Sequence, residues 1–229
     1  MSTLNIAALS SFLVCWLGYQ PLLHSLAHHR GGVINSDMQV IRMAWMRNMA
    51  ARDNRFLDGQ LLGHTLSSAS FFASSNLLLI AAIVGGLFGG ERTFRSAASL
   101  VGVQTSSRLL FEGQLALVLL TLARGLLEFT WAIRQMNYCM ATFGAAPLAA
   151  TPEQQRAYGD IAARLLNPAL HSFSQGVRAY YFALAAAAWL FGPVACMAAT
   201  FCVVVLLLWR QRSSSAAAAV ADLRKLLDG

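Results

Sequence analysis

Four apolar runs, each long enough to cross a bilayer, constrain this chain more than anything else in it. A helix needs about 20 mostly apolar residues to traverse the hydrocarbon core. Such runs extend from about Leu4 to Leu23, Ser67 to Phe88, Leu109 to Ile133 and Ala179 to Trp209. Trp16 and Tyr19 close the first run, where amphipathic aromatics favour the interface. No basic segment precedes that run and no small-residue cleavage pattern clearly follows it, so it reads as a retained helix and not a removed signal peptide. The expected fold class is therefore all-α: a polytopic membrane protein built as a four-transmembrane-helix bundle with an interfacial amphipathic helix. One membrane domain covers residues 1–212, and a polar, mobile or weakly helical tail covers 213–229.

The 57% hydrophobic content against 12% charged residues supports this, because so much apolar surface must be hidden in lipid. A formal charge of +7 comes from arginine, since Lys225 is the only lysine. Scattered between apolar segments, these arginines fit anionic headgroups and argue against nucleic acid. Cys15, Cys139, Cys196 and Cys202 lie in or beside apolar runs without CxxC spacing, and read as reduced core residues.

Between the first two runs, Met38, Ile41, Trp45, Met49 and Phe56 form a narrow apolar stripe at near-helical spacing, flanked by Arg42, Arg47, Arg52 and Arg55. That pattern predicts a helix over about 36–57, lying either in the interface plane or against the bundle end. A second surface helix is expected over about 152–166, started by Thr151 as cap with Pro152 in its first turn. The count of basic residues on the two sides does not decide orientation.

Four crossings place the His24–His64 and Gly144–Pro168 loops on one membrane face. Thr121, Arg124, Glu128, Trp131, Gln135 and Tyr138 recur every three or four residues along the third span, and His171, Ser174, Arg178 and Tyr181 do so at the entry to the fourth. Charge at membrane depth is costly unless paired or hydrated, so the two stripes are expected to face each other. The candidate site residues are Arg52, Asp53, Asn54, Arg55, Asp58, His64, Arg124, Glu128, Trp131, Arg134, Asn137, Tyr138, His171, Arg178 and Tyr181. They line a cavity for an ion, headgroup or anionic solute, or they lock helix packing, with Arg124 and Glu128 paired at i,i+4 and other arginines paired to Asp53 and Asp58. His24 and His28 stand one turn apart without an acidic or cysteine partner, so no metal and no cofactor is expected. Ser67, Ser70 and Ser74 share a face, and Gly85, Gly86, Gly89 and Gly90 add small-residue spacing that favours close helix approach within the chain or between copies. No nucleophile elbow, phosphate-cradling glycine loop, HExxH or GxGxxG occurs.

Several of these segments resemble the Domain of Unknown Function 599 family of bacterial and plant integral membrane proteins. The similarity rests on Arg52-Asp53-Asn54-Arg55 with Asp58, Phe71-Phe72-Ala73-Ser74, Phe129-Thr130-Trp131 leading to Arg134-Gln135-Met136-Asn137-Tyr138, Gly144-Ala145-Ala146-Pro147, and Gly176-Val177-Arg178-Ala179-Tyr180-Tyr181-Phe182-Ala183-Leu184-Ala185. It covers about Trp45 to Ser213 and departs at Ser75 and Asn76 and at a serine beside Phe173. The resemblance implies a multi-helix membrane protein and supplies no activity, catalytic residue or cofactor.

The leading expectation is a non-enzymatic assembly or accessory subunit of a homo-oligomer or larger complex in the bacterial inner (plasma) membrane. Its partners would be the lipid bilayer and anionic headgroups. The alternative is a small transporter or channel-like protein with a polar intramembrane site, whose path passes Arg124 and Glu128. An interfacial lipid enzyme using Asp58 or His64 as base ranks last.

Overall fold

A computed structural model describes residues 2–30, 33–100, 102–104 and 107–228, with backbone only at 24, 26–30 and 228. Every element in it is helical: α1 (Thr3–Arg30), α2 (Ile34–Ala51), α3 (Phe56–Phe88), α4 (Gly90–Ala98), α5 (Arg108–Ala145), α6 (Pro152–Ala187), α7 (Pro193–Arg212) and α8 (Ser215–Asp228), with a 3-10 turn over Ala188–Phe191. Four stretches are long and apolar enough to cross a membrane: Thr3–Leu23, Phe56–Phe88, Arg108–Ala145 and Pro193–Leu227.

The fourth differs from expectation. The apolar run over 179–209 is not one helix, because Gly192 takes φ 116° and Pro193 opens a new helix. A positive φ is open to glycine at no steric cost, and proline lacks the N–H needed to continue a helix but suits the first turn. The surface helix expected to stop near 166 instead runs on to Ala187 as α6, with Pro168 inside it. Its start is as read: Thr151 and Gln154 form a reciprocal capping box with Pro152 in the first turn.

The register of α6 follows from its contacts with α5. Tyr158 donates to the Thr142 carbonyl at 2.6 Å, Phe173 meets Phe129 at 5.9 Å, Gly125 packs on Ala179, and Gln114 donates to the Trp189 carbonyl at 3.0 Å. The two helices are antiparallel neighbours over their whole length, so α6 traverses whatever depth α5 does. Glycine makes this approach possible: a Cβ at Gly176 would fall 2.6 Å from the Phe129 ring. On one flank α3 joins α5 through the stacked Phe72–Phe129 pair and an Asn76 side chain donating to the Leu122 carbonyl at 2.9 Å. On the other, α1 lies antiparallel to α6, with Trp189 donating to Asn5 and Arg178 to Gln20.

At one end of the bundle α2 packs across α6, with Met46 and Met49 fully buried. Gly159 permits this contact, since a Cβ there would sit 2.5 Å from the Arg47 Cα. The helix expected over 36–57 is thus a lid on the bundle end and stops at Ala51. Phe56, placed on its buried stripe, is 71% exposed and begins α3 instead. The tail beyond 213 forms α8, which docks on α2 through Arg224 and the buried Asp37 at 2.6 Å.

Candidate functional site

Two polar constellations occupy this end of the molecule. The first is built by the turn between α2 and α3. Arg52 leaves the helix in an extended conformation, and Asn54 accepts from the Phe56 N–H at 2.9 Å, satisfying one open donor at the start of α3. Asp58, fully buried, accepts from Trp45 Nε1 at 2.7 Å and from Arg52 at 2.6 Å through the same oxygen. Arg55 reaches four carbonyls, those of Met49, Ala50, Ala146 and Pro147. A cation set against the carbonyl end of α2 and the loop after α5 complements the partial negative charge there. These bonds also place the two loops at one end of the bundle, as crossing arithmetic required. Asp53 and His64 are exposed and join neither group.

The second constellation lies between α1, α5 and α6. A cleft of about 800 Å³, open to solvent, is lined by Gln20, Trp131, Gln135, Arg164, Asn167 and His171 among others. His171 is held between the side-chain amides of Gln20 at 3.2 Å and Gln175 at 3.1 Å. Arg42 of α2 and Glu128 of α5 lie near enough to act on it electrostatically. Burial in the α2–α6 contact lowers the Arg42 pKa to about 10. Behind His171, a cavity of about 20 Å³ is bounded by Trp16, Tyr19, Gln20, Arg124, Gln175 and Arg178. Arg178, 6% exposed, donates to Gln20 at 2.6 Å and sits over the Tyr19 ring at 5.6 Å.

Part of the expected stripe assembles here. Trp131, Gln135 and His171 line one cleft, Glu128 acts on His171 electrostatically, and Arg124 and Arg178 bound the smaller cavity. Arg124 and Glu128, however, form no ion pair: the Arg124 guanidinium lies 5.5 Å over the Trp16 ring. A cation above an indole face is attracted by the ring quadrupole. Arg134 turns outward and donates to Tyr138 at 2.9 Å. Asn137 and Tyr138 are likewise exposed. Tyr181 belongs elsewhere, bonded to Arg210 of α7. Trp131 is half exposed at the cleft rim. Sequence reasoning missed Trp16, Tyr19 and Gln20, which α1 contributes to the cavity and cleft, and Gln175 of α6. A glutamine directly before Pro21 in an otherwise apolar helix was the available signal.

Among the described residues no group of three or more His, Cys, Asp and Glu comes together. The side chains of His24, His28 and His29 fall outside those described. All four cysteines are free thiols.

Long apolar helices around a polar, arginine-bearing interior define a helical membrane protein, with no recognisable catalytic arrangement among the described residues. Within that class the chain belongs to the family described as "Protein of unknown function, DUF599", whose model matches residues 7–216. No curated protein and no solved structure matches it.

Proposed function

We propose that this chain is a non-enzymatic assembly unit of the bacterial plasma membrane that pairs with a second copy of itself through α3. The observation that carries this is the outer face of α3. That helix packs on α5 along one side, while Ser67, Ser70 and Ser74 are exposed on another, in line with Gly59 and Gly63 at steps of three or four residues and with Gly85 eleven residues beyond Ser74. A Cβ at any of these three glycines would meet nothing within 4 Å. Small residues on a lipid-exposed face allow two backbones to approach closely, and the serine hydroxyls then find partners across the pair. The same face on both copies gives a self-complementary, two-fold contact.

The register of α6 supports an orientation. If α5 spans, α6 spans beside it, and the chain makes five crossings through α1, α3, α5, α6 and α7. Of the 17 basic residues, Arg92, Arg95 and Arg108 fall at the α4 end, and Arg124 and Arg178 lie inside the bundle. The other twelve gather at the α2 and α8 end, which the positive-inside rule assigns to the cytoplasm.

The test is cross-linking of Ser70→Cys in a variant lacking the native cysteines, in membranes, together with the mass of the protein in mild detergent. A disulfide between the position-70 thiols of two Ser70→Cys copies and a dimeric mass are expected, both lost when Gly63→Leu is added. A monomer without cross-link refutes the proposal. A second reading, a small transporter, is favoured only by the arginine-lined cleft and would require flux that Glu128→Gln abolishes without loss of folded protein.

A further inference from the structure

The ~20 Å³ cavity behind His171 is bounded by two arginines, and neither has a carboxylate partner among the described residues. Arg178 is buried to 6% exposure, and its second terminal nitrogen has no hydrogen-bond acceptor. The Tyr19 hydroxyl beside it is buried and likewise unbonded. Buried polar atoms are satisfied in the great majority of cases, so two open groups facing one cavity mark a place for a missing acceptor. A guanidinium with open N–H groups has the geometry and charge to take an oxyanion.

The volumes indicate how it would enter. A cavity of about 20 Å³ holds roughly one water-sized atom. The adjoining cleft of about 800 Å³ shares Gln20 with it and holds the bulk of a much larger group. His171 and its two glutamine partners form the wall between them. Around this path stand Arg124, Arg178, Arg164 at the cleft and Arg42 near His171, against the acid Glu128, which also acts on His171. The local field is positive where the bundle interior otherwise disfavours an uncompensated charge.

We propose that Arg178 is the anchor of an anion site for a phosphate-type oxyanion, which enters from the arginine-rich end through the His171 cleft and places one oxygen against Arg178 and Tyr19. Arg124 supplies a second positive charge, held in place by Trp16. The phosphate can belong to an anionic phospholipid headgroup or be a free ion, and the two are separable. This site is independent of the α3 pairing, whose failure would leave it standing.

The experiment is thermal unfolding of the purified full chain in zwitterionic detergent with three additions: phosphatidylglycerol, phosphatidylcholine at the same mole fraction, and inorganic phosphate against chloride at matched ionic strength. At about a hundred times its Kd the true ligand raises the Tm by roughly 5 °C or more. A rise with phosphatidylglycerol alone identifies a headgroup, and a rise with phosphate identifies a free anion. In Arg178→Gln the apparent affinity falls at least about tenfold, the scale of a lost charge-assisted hydrogen bond, while Arg156→Gln on the exposed surface keeps the wild-type response. No rise with either anion, or an equal rise in Arg178→Gln, overturns the proposal. If Arg178→Gln does not fold, Arg124→Gln decides by the same titration: weaker binding supports the site and unchanged binding refutes it.

Discussion

Replacing Gly159 by alanine tests the way α2 is seated on the bundle. A Cβ built at Gly159 falls 2.5 Å from Arg47 Cα, 2.7 Å from Arg47 N and 2.9 Å from the Met46 carbonyl oxygen, whereas ordinary contacts begin at 3.4 Å. All three neighbours are backbone atoms of one helix, so no side chain can swing aside, and α2 must retreat by about 1 Å as a body. Overpacking of this kind costs about 1–3 kcal/mol. The retreat also loosens Met46 and Met49, both fully buried, and strains the Arg47–Asp160 pair at 2.6 Å. Against this, alanine in a helix is about 1 kcal/mol more favourable than glycine. Overpacking net of this gain is about 0–2 kcal/mol, and the loosened methionines and ion pair bring the expected loss to about 1–2 kcal/mol, or a Tm lower by roughly 3–6 °C for a chain of this size. Thermal unfolding in a mild detergent reads it directly. Gly113→Ala, where a Cβ meets nothing within 4 Å, serves as the comparison and should be neutral or slightly stabilising. A Gly159→Ala protein as stable as wild type would mean that α2 is not held against α6 as described.

Three further outcomes follow from the polar end. Arg52→Ala leaves the fully buried Asp58 with Trp45 as its one remaining partner and should cost about 3–5 kcal/mol, while Asp58→Asn in the same background restores part of that loss; a purely additive double-mutant cycle would refute the coupling. Asp160 has its pKa lowered chiefly by its hydrogen bond from Arg47, so its contribution is complete above the ordinary carboxyl value of 3.8 and disappears as the pH falls through the depressed folded value. Both partners of this pair are well exposed, which limits the effect to within about 1 kcal/mol, and Asp160→Asn should flatten the part of the Tm profile that falls as the pH drops below the ordinary carboxyl value of 3.8. Arg55→Ala removes bonds to four carbonyls and should loosen the α2–α3 turn from the loop after α5, measurable as faster amide exchange around Ala146 with the centre of α5 unchanged.

Hydropathy alone located α1, α3 and α5, because long apolar runs carry their own signal. The cap at Thr151 was equally legible, being a local chemical pattern. What hydropathy hid was α6. Its buried faces, towards α5 and α2, carry small residues such as Ala162, Ala163, Gly176 and Ala179, so its apolar contacts come from its partners and not from its own composition. The break at Gly192 was masked for the opposite reason, since apolar residues continue on both sides of it. At the site, the expected stripe brings Trp131, Gln135 and His171 to the lining of one cleft, while Glu128 is not part of that lining. The packing reading paired Arg124 with Glu128, whereas the guanidinium lies over Trp16 of another helix, a contact that no pattern within one helix can reveal. The engagement of Asp58 by Trp45 required the turn at Arg52, where helical periodicity no longer applies.

The Gly192–Pro193 joint also bears on how the chain is made. The membrane-insertion machinery reads a nascent segment largely by its own apolarity, and α6, emerging before α7, does not reach the apolarity of the four spanning stretches. It has two sources of help: α5, already in place with a complementary glycine and phenylalanine surface, and α7, strongly apolar and joined to it by a tight bend. A chain released at Phe191 would have only the first. Such a truncated product should leave α6 on the side where it was synthesised, with Arg178 in water, whereas extension to Arg212 should carry both helices in together as one hairpin. With α6 taken as a further crossing, the positive-φ glycine at 192 would do more than bend the chain locally: it would let a helix with a charged interior face be inserted by its neighbour.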